Sequence, residues 1–186
     1  MIAQLIRARA EWMHERLLPG WEGWHDRADT LAGQAGEKEM PVWVMTHDER
    51  VIGVTSLYEQ TSGLLWPEEA ERFQPSFFLA TTVTDPAYRQ YRPGCLIAWW
   101  ALDHAAREGR TWVRRGTGPY PRLVAYYRDV QGWDVVRTVL NRGVTAYALQ
   151  RRAEPQPHLP QLGLQLKDAA ACSTSSTSNS SASRRV

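Results

Sequence analysis

Apolar and polar positions change along the chain between a helical and a strand-like spacing, which predicts a mixed α/β fold. Apolar residues three and four apart over residues 2–18 predict an amphipathic helix that ends at Pro19-Gly20. Residues 21–40 are rich in Gly, Asp and Glu, so we expect them to be mostly loop. Apolar runs at 42–45 and 51–57 predict a hairpin, in whose second strand a glycine marks a bulge or close packing.

The central stretch combines a buried strand, a basic loop and a long apolar helix. The strand, residues 77–84, ends at Asp85-Pro86, because proline cannot donate a hydrogen bond to a β ladder. The apolar run 95–106 contains no helix breaker, and Gly109 is a natural helix stop. A short strand at 111–115 follows directly. Strand, helix and strand with short joins imply a parallel pair connected by a right-handed crossover.

The rest of the chain predicts one more helix, one more hairpin and an insertion. Pro121 suits the first turn of a helix over residues 122–130. Residues 133–140 and 144–149 alternate across Asn-Arg-Gly, which is a hairpin signal. Residues 64–74 look like an insertion before the central strand, with a helix start marked by acidic residues.

Composition narrows the class of protein. The chain has 186 residues, 43% of them hydrophobic and 23% charged, which is ordinary for a globular domain. A formal net charge of +2 predicts neither nucleic-acid nor membrane binding. The two cysteines form no disulfide framework and no metal-ligand spacing, and they favour a reducing cytoplasm. We therefore expect a cytoplasmic protein, with no apolar run near the ~18 residues that a membrane span needs.

The domain organisation follows from a change of composition near residue 152. Residues 1–152 carry the helix and strand patterns and predict one domain. Residues 153–186 contain several prolines and then a serine- and threonine-rich end. Such a segment buries too little apolar surface to offset the entropy of ordering, so we expect a disordered tail.

The loop before the central helix has the composition of an anion-binding site. In residues 88–94, YRQYRPG, arginines and a glycine precede a helix N-terminus, where free N–H groups and the positive end of the helix dipole face an anion. This loop resembles the acyl-CoA pyrophosphate loop of the GNAT N-acetyltransferase superfamily, whose motif is R/Q-x-x-G-x-G/A. Arg89 fits the first position and Gly94 the last, whereas Arg92 stands where the first glycine is usual.

A second resemblance to the same superfamily lies in the late helix. Residues 123–133, LVAYYRDVQGW, resemble its closing pattern, a tyrosine-containing helix followed by Gly-Phe and a strand. This chain has one extra residue between tyrosine and glycine, and Trp133 replaces the phenylalanine. Two signatures in the right order, each on its expected element, cover roughly residues 42–151. The resemblance implies a mixed, largely antiparallel twisted sheet with a central parallel pair and helices on both faces. The family's first strand would precede residue 1, so we expect either that this strand is absent or that the gene start is misplaced.

The resemblance also implies an activity and a set of binding residues. The implied activity is acyl-CoA-dependent N-acetyltransfer from acetyl-CoA, a cosubstrate, to a primary amine of a small molecule or protein, without a metal. Backbone groups at the end of the central strand would bind the pantetheine arm and polarise the thioester carbonyl, and the loop would bind the pyrophosphate. The residues implied are Thr82, Val83 and Thr84 for the arm, and Arg89, Gln90, Tyr91, Arg92, Pro93, Gly94 and Cys95 for the pyrophosphate.

The implied general acid is a tyrosine. Tyr127 would protonate the departing thiolate, with Tyr126 as the alternative, because the extra residue leaves the register open. Glu59 is the best carboxylate candidate for a general base, against the alternatives of a solvated strand-end residue and a chain of waters. We expect Cys95 to pack beside the cofactor and His104 to lie at the surface.

The acceptor and the function class stay open at this level. In the superfamily an insertion such as 64–74 lies where acceptors enter, so Trp66 and Phe73 either shape that pocket or pack a surface excursion. Two other classes compete with the enzyme: a non-catalytic GNAT-fold module that holds acyl-CoA, and an unrelated α+β interaction domain. No acidic cluster in the sequence announces a polycationic acceptor, and the resemblance is compatible with a homodimer.

Overall fold

The computed structural model describes residues 1–37, 40–159 and 165–169. The strands are β1 (Val42–His47), β2 (Arg50–Tyr58), β3 (Ser76–Thr84), β4 (Trp112–Thr117), β5 (Asp134–Asn141), β6 (Val144–Arg152) and β7 (Gln165–Asp168). The helices are α1 (Ile2–Glu15), α2 (Trp21–Asp26), α3 (Ala28–Gln34), α4 (Glu69–Arg72), α5 (Pro93–Arg107) and α6 (Pro121–Asp129), with a 3₁₀ helix at Pro86–Tyr91. In this described part of the chain, no helix is long and apolar enough to cross a membrane.

The seven strands form one sheet in the order β5-β6-β4-β3-β2-β1-β7. Neighbouring strands are antiparallel except β3 and β4, which run parallel from Ser76 opposite Trp112 to Leu79 opposite Arg115. Helix α5 connects these two strands, as the strand–helix–strand pattern predicts. The predicted fold class, a mixed and largely antiparallel sheet with a central parallel pair, is confirmed.

Helices pack on both faces of the sheet. On one face α5 contributes an apolar side that meets the middle strands; its buried core includes Met45, Leu57, Leu79, Ile97, Ala101, Leu102, Val113 and Leu149. On the other face α1 and α3 cover β1, β2 and the end of β3; this core includes Leu5, Ile6, Ala28, Val42, Val44, Val54 and Val83. Burial of each large aliphatic side chain stabilises the fold by about 1.5–3 kcal/mol. The two cores hold the sheet rigidly around the ends of β3 and β4.

The largest error of the sequence-based secondary structure concerns residues 21–40. We predicted mostly loop, whereas the structure has the two short helices α2 and α3 there. Helices this short are marginal on their own and depend on tertiary packing. Ala28 is fully buried against the α1 core, and packing of this kind leaves no strong periodic signal in six or seven residues. Helix α1 was predicted correctly, although it ends at Glu15, before a left-handed Leu17.

The glycine of the second strand marks close packing. A Cβ on Gly53 would lie 3.0 Å from Cδ1 of Ile97 on α5, which is tighter than ordinary contact. The absence of a side chain therefore lets α5 lie close to β2. Gly53 also adjoins a bulge in β2 itself: Met45 pairs with Gly53 and Thr46 with Val51, which leaves Ile52 as the extra residue.

The insertion before β3 folds against the sheet through a buried arginine. Arg114 is only 1% exposed, and its guanidinium donates hydrogen bonds to the Glu71 carbonyl at 2.7 Å and to the Gln74 side chain at 2.5 Å. Burial lowers the pKa of Arg114. Trp66 is buried and packs edge-on against Phe78. Of our two interpretations, Trp66 therefore fits the packed surface excursion.

A C-terminal strand covers the edge of β1. β7 runs antiparallel to β1, from Trp43 opposite Asp168 to Thr46 opposite Gln165, and Ala169 is buried in the core beneath α1. The expected disorder of the tail does not hold for Gln165–Asp168, because these residues pair with an edge that is otherwise open. Residues 160–164 and 170–186 lie outside the described residues, and the division into a domain at 1–152 and a tail stays a prediction.

A chain truncated after residue 159 should be less stable than the full chain. It loses β7 and Ala169, and net contributions of 0.5–1.5 kcal/mol per hydrogen bond make a loss of about 2 kcal/mol or more in unfolding free energy reasonable. Chemical denaturation measures this difference. A chain ending at residue 170 keeps β7 and is the control. Equal stability of the two truncated chains would show that β7 contributes nothing, and acetyl-CoA affinity should be the same in both.

Candidate active site

The parallel pair at the centre of the sheet separates after four residues. Beyond Leu79 and Arg115, β3 continues along β2 to Thr84, and β4 continues along β6 to Thr117. No further β3–β4 ladder pair occurs in the described ranges. The carboxyl ends of two parallel strands therefore diverge and leave a wedge-shaped opening. Ligands of open α/β sheets bind at such carboxyl ends.

A distortion of β3 lies next to this opening. Thr81 has a φ of 48°, and the β2–β3 register shifts between Val54 and Ser56. Between these two residues, the Thr55 hydroxyl lies 3.0 Å from the Ala80 carbonyl and 2.9 Å from the Thr82 hydroxyl, so the bulge is tied to β2. A β-bulge bends and twists its strand.

The structure leaves mainly backbone groups of β3 for a ligand. The Thr82 side chain is bonded to β2, and Val83 is buried in the core under α1. Thr84 is half-buried and pairs with Gly53. The assigned pantetheine role of these three residues was a backbone role, and it stays a prediction.

A buried carboxylate fixes the entrance to the basic loop. Asp85 is 6% exposed and caps the 3₁₀ helix, since its Oδ1 accepts a hydrogen bond from the Ala87 amide at 2.9 Å. Its Oδ2 accepts a hydrogen bond from Arg50, also at 2.9 Å. Because both oxygens are engaged, the loop leaves β3 in one defined direction.

The basic loop keeps the turn of a glycine-containing motif without its first glycine. Arg92 has φ 50° and ψ 51°, a left-handed conformation that glycine adopts freely and other residues adopt at a cost of about 1–2 kcal/mol. The Arg92 carbonyl accepts a hydrogen bond from the Cys95 amide at 2.8 Å, and this bond closes the first turn of α5. Arg92 therefore keeps the backbone turn that the motif's first glycine would make, although it replaces that glycine.

Gly94 leaves space at the start of α5. It lies in the first helical turn after Pro93, and because the Cys95 and Leu96 amides already donate to the Arg92 carbonyl, the Gly94 amide is the donor of this turn that is left for a ligand. A Cβ on Gly94 would have its nearest neighbour, Nε2 of Gln131, at 3.9 Å, which is ordinary contact. Packing does not require glycine here, so its exposed backbone is available to an anion.

The two adjacent tyrosines of α6 point to different places, as residues about 100° apart on a helix must. The Tyr126 hydroxyl lies 3.0 Å from Sγ of Cys95, in the first turn of α5. Burial, followed by the hydrogen bond to Cys95, raises the pKa of Tyr126. The Tyr127 hydroxyl instead accepts a hydrogen bond from Arg115 of β4 at 2.8 Å. Only Tyr127 is thus bonded to the parallel pair.

Arg115 is a buried cation that sequence analysis missed. It is 5% exposed, and its guanidinium carbon lies 3.7 Å from the centre of the Tyr127 ring. Its other partner is the Gln131 amide oxygen at 3.5 Å, an oxygen that also accepts from Trp133 at 2.9 Å. Among the described residues no carboxylate pairs with Arg115, and its Nε has no hydrogen-bond partner. The sequence feature that could have indicated this buried cation is the pair Arg114-Arg115 within a short strand.

A second arginine lies near Tyr127. Burial lowers the pKa of Arg9 on α1, and the electrostatic effect of the nearby Tyr127 hydroxyl acts in the opposite direction. Arg9 also packs over Trp12, with 4.4 Å between the guanidinium carbon and the ring centre. The surroundings of Tyr127 therefore include Arg9 of α1 as well as Arg115 of β4.

Two other sequence-based candidates occupy different surroundings. Glu59 is largely exposed and forms an ion pair with Arg110 at 3.1 Å, which matches the solvated strand-end interpretation. The prediction that His104 is a surface residue is wrong. Its ring is half-buried and stacks on Trp100 and Phe77, because α5 packs this turn against the aromatic side of β1 and β3, and burial lowers its pKa.

Solved structures with the same fold are acetyltransferases by name. Aminoglycoside 6'-acetyltransferase type Ii aligns with a TM-score of 0.59 over 84% of this chain and 90% of that chain, at 12% identity. A GNAT-family acetyltransferase from Listeria monocytogenes gives 0.58 over 80% and 86%, at 12% identity. One from Desulfovibrio desulfuricans, described as a putative GNAT-family acetyltransferase, gives 0.56 over 82% and 92%, at 10% identity. No protein-family model and no curated protein sequence matches the chain.

The chain is thus an α/β protein whose central parallel strands separate in front of a helix N-terminus. Together with these similarities, this architecture is the fold of the GNAT N-acetyltransferases. Identities of 10–12% support the fold alone, so activity rests on the site.

Proposed function

We propose that this protein is an acyl-CoA-dependent N-acetyltransferase that moves an acetyl group from acetyl-CoA to a primary amine. One observation carries the proposal: the opening between β3 and β4 lies next to both the α5 N-terminus and the Tyr127 hydroxyl. An elongated thioester needs these groups together, with donors for its phosphates at one end and an acid for its sulfur at the other.

Acetyl-CoA fits the residues present as a substrate. The Gly94 amide in the first turn of α5, the positive end of the helix dipole and the arginines of the loop complement a pyrophosphate. Backbone groups of β3 beyond Leu79, which have no partner strand on the β4 side, suit the amide groups of the pantetheine arm. These assignments follow the sequence motif, and the open position at Gly94 supports them.

The chemistry needs one proton for the leaving group. The amine nitrogen attacks the thioester carbonyl carbon, the C–N bond forms, and the C–S bond breaks to release CoA thiolate. Tyr127 gives its proton to that sulfur, and the proton lost by the amine returns through solvent to the tyrosine. The products are an amide and free CoA thiol. General acid catalysis of this kind contributes about 10²–10⁴-fold to rate.

The contacts of the two tyrosines favour Tyr127 as the acid. The Tyr127 oxygen accepts a hydrogen bond from Arg115, so its own proton stays free to be donated. Tyr126 is instead engaged with Cys95 at the helix start, and its raised pKa makes it a weaker acid. The extra residue of the sequence motif is thereby accommodated without moving the acid from its expected position.

Arg115 should assist the acid electrostatically. After proton transfer the Tyr127 oxygen carries a negative charge beside a guanidinium that no described carboxylate neutralises. A fixed cation aimed at developing charge in a buried site stabilises it without reorganisation. Arg115 is thus a positioning residue that acts through Tyr127.

Arg115→Met should lower kcat about tenfold or more, with acetyl-CoA affinity nearly unchanged. The control is the same substitution in a Tyr127→Phe background, where it should cause no further loss, because Arg115 acts through the missing hydroxyl. Arg115→Lys should recover part of the rate. Additive losses in the double variant would contradict this coupling and indicate a separate role for Arg115.

Release of CoA thiol in the presence of an amine panel tests the function itself. We expect amine-dependent thiol release together with thermal stabilisation by acetyl-CoA. Stabilisation by acetyl-CoA without turnover of any amine would support the non-catalytic binding module. No response to acetyl-CoA at all would leave an interaction domain on this fold.

A further inference from the structure

A cleft opens beside the end of β4, on the face that carries the insertion. It is largely open to solvent and has a volume of about 330 Å³, near the lower end of the roughly 300–1,000 Å³ typical of small-molecule sites. Its walls come from three places: the insertion near Leu64 and Leu65, the end of β4 from Gly116, and the start of β6 near Val144. It is distinct from the anion-binding loop at the start of α5.

The cleft and the proposed acid lie on opposite faces of β4. Gly116, which lines the cleft, lies so close to the insertion that a Cβ there would meet Leu65 Cδ1 at 2.5 Å. Arg115, one residue earlier, is bonded to Tyr127 and points to the other face, because successive side chains of a strand alternate. An amine held in the cleft would therefore reach a thioester through the opening between β3 and β4, from the side away from Tyr127.

The lining of the cleft carries no charge among the described residues. Its apolar part consists of Leu64, Leu65, Val144 and Ala146, and its polar groups are hydroxyls and the Asn141 side-chain amide. Val144 is 55% exposed and Leu64 is 48% exposed, so apolar surface faces the solvent at its mouth. Exposed apolar surface of this kind around a concavity is typical of a ligand site.

A positively charged side chain contacts this lining. Arg137 donates a hydrogen bond to the Leu65 carbonyl at 3.2 Å and pairs with Glu71 at 3.0 Å. Glu71 is thereby already neutralised. A second ammonium group of an acceptor would meet an apolar wall and a cation there, and the described lining contains no carboxylate to compensate its desolvation.

We infer that the acceptor is a primary amine attached to a neutral, largely apolar body that occupies this cleft. This inference rests on the proposed acetyl transfer and names the substrate class of the same site. It excludes polycationic acceptors such as aminoglycosides, although one solved structure of similar fold is an aminoglycoside acetyltransferase by name.

The test compares 2-phenylethylamine with spermidine and kanamycin in the thiol-release assay. We expect kcat/KM for 2-phenylethylamine to exceed that for either polycation at least tenfold. Val144→Glu should lower the 2-phenylethylamine value about tenfold or more, with acetyl-CoA affinity unchanged. The matched control is Val136→Glu, at a valine of β5 that is 42% exposed and outside the lining, and it should have little effect.

Calorimetric binding of 2-phenylethylamine in the presence of CoA reports on the cleft separately from turnover. Preference for spermidine or kanamycin, or a Val144→Glu variant that behaves as the wild type, would overturn the inference and leave acetyl transfer intact. Binding of 2-phenylethylamine that Val144→Glu abolishes, without turnover of any amine, would support the cleft and refute the proposed function.

Discussion

Replacing Tyr127 by phenylalanine should lower kcat about a hundredfold or more while acetyl-CoA affinity stays nearly constant. The substitution removes the proton donor for the thiolate, and a general acid contributes at least this much. The ring still packs against Arg115, whose guanidinium lies 3.7 Å from its centre, so the fold should persist. Steady-state kinetics with a confirmed amine acceptor, together with acetyl-CoA binding by calorimetry, measure both quantities.

Tyr126→Phe is the control for this experiment. It removes a hydroxyl of the same helix whose contact is with Cys95, so we expect a change in kcat of less than about threefold, well below the effect of a lost general acid. If Tyr126→Phe abolished turnover and Tyr127→Phe were silent, the acid would be Tyr126. If neither changed the rate, water would protonate the thiolate.

Gly94→Asp should weaken acetyl-CoA binding about thirtyfold or more, which is about 2 kcal/mol. The new carboxylate would lie beside the site proposed for the pyrophosphate, where like charges repel. The same carboxylate in the first turn of a helix favours the folded state through the helix dipole, so a loss of binding is not a loss of folding. Titration calorimetry and thermal unfolding separate the two effects.

Gly94→Ala is the matched variant for steric effects. The added methyl group meets the nearest side-chain atom at an ordinary distance of 3.9 Å, and the motif that this loop resembles allows alanine at this position. We expect Gly94→Ala to bind acetyl-CoA far better than Gly94→Asp. Unchanged affinity in a folded Gly94→Asp protein would place the pyrophosphate elsewhere.

The fold was predictable where periodic patterns are long and turns are marked by proline or glycine. The β3–α5–β4 unit and the β5–β6 hairpin follow this rule. The strand–helix–strand order of the first of these predicted that β3 and β4 are parallel. Helices α2 and α3 were not predictable in this way, because helices of six and seven residues depend on tertiary contacts such as the burial of Ala28. β7 escaped prediction because strand pairing with a distant edge leaves almost no local signal in four residues.

The site was predictable to a smaller extent. Local motifs indicated the loop and both tyrosines, and the preference for Tyr127 over Tyr126 needed the contacts of their hydroxyls. Arg115 could not be assigned from sequence, because its role depends on burial without a neighbouring carboxylate, which only the fold defines. The binding residues, the cytoplasmic location and a homodimer remain predictions.

The pairing of β7 with β1 has a consequence for biosynthesis. The two strands that meet at this edge are about 120 residues apart along the chain. While the ribosome works through the intervening segment, β1 has β2 beside it and nothing on its other side. An unpaired strand edge is a template for association with other chains. The nascent protein therefore passes through a period of aggregation risk that ends when β7 leaves the exit tunnel, so chaperone dependence should be greatest just before β7 emerges.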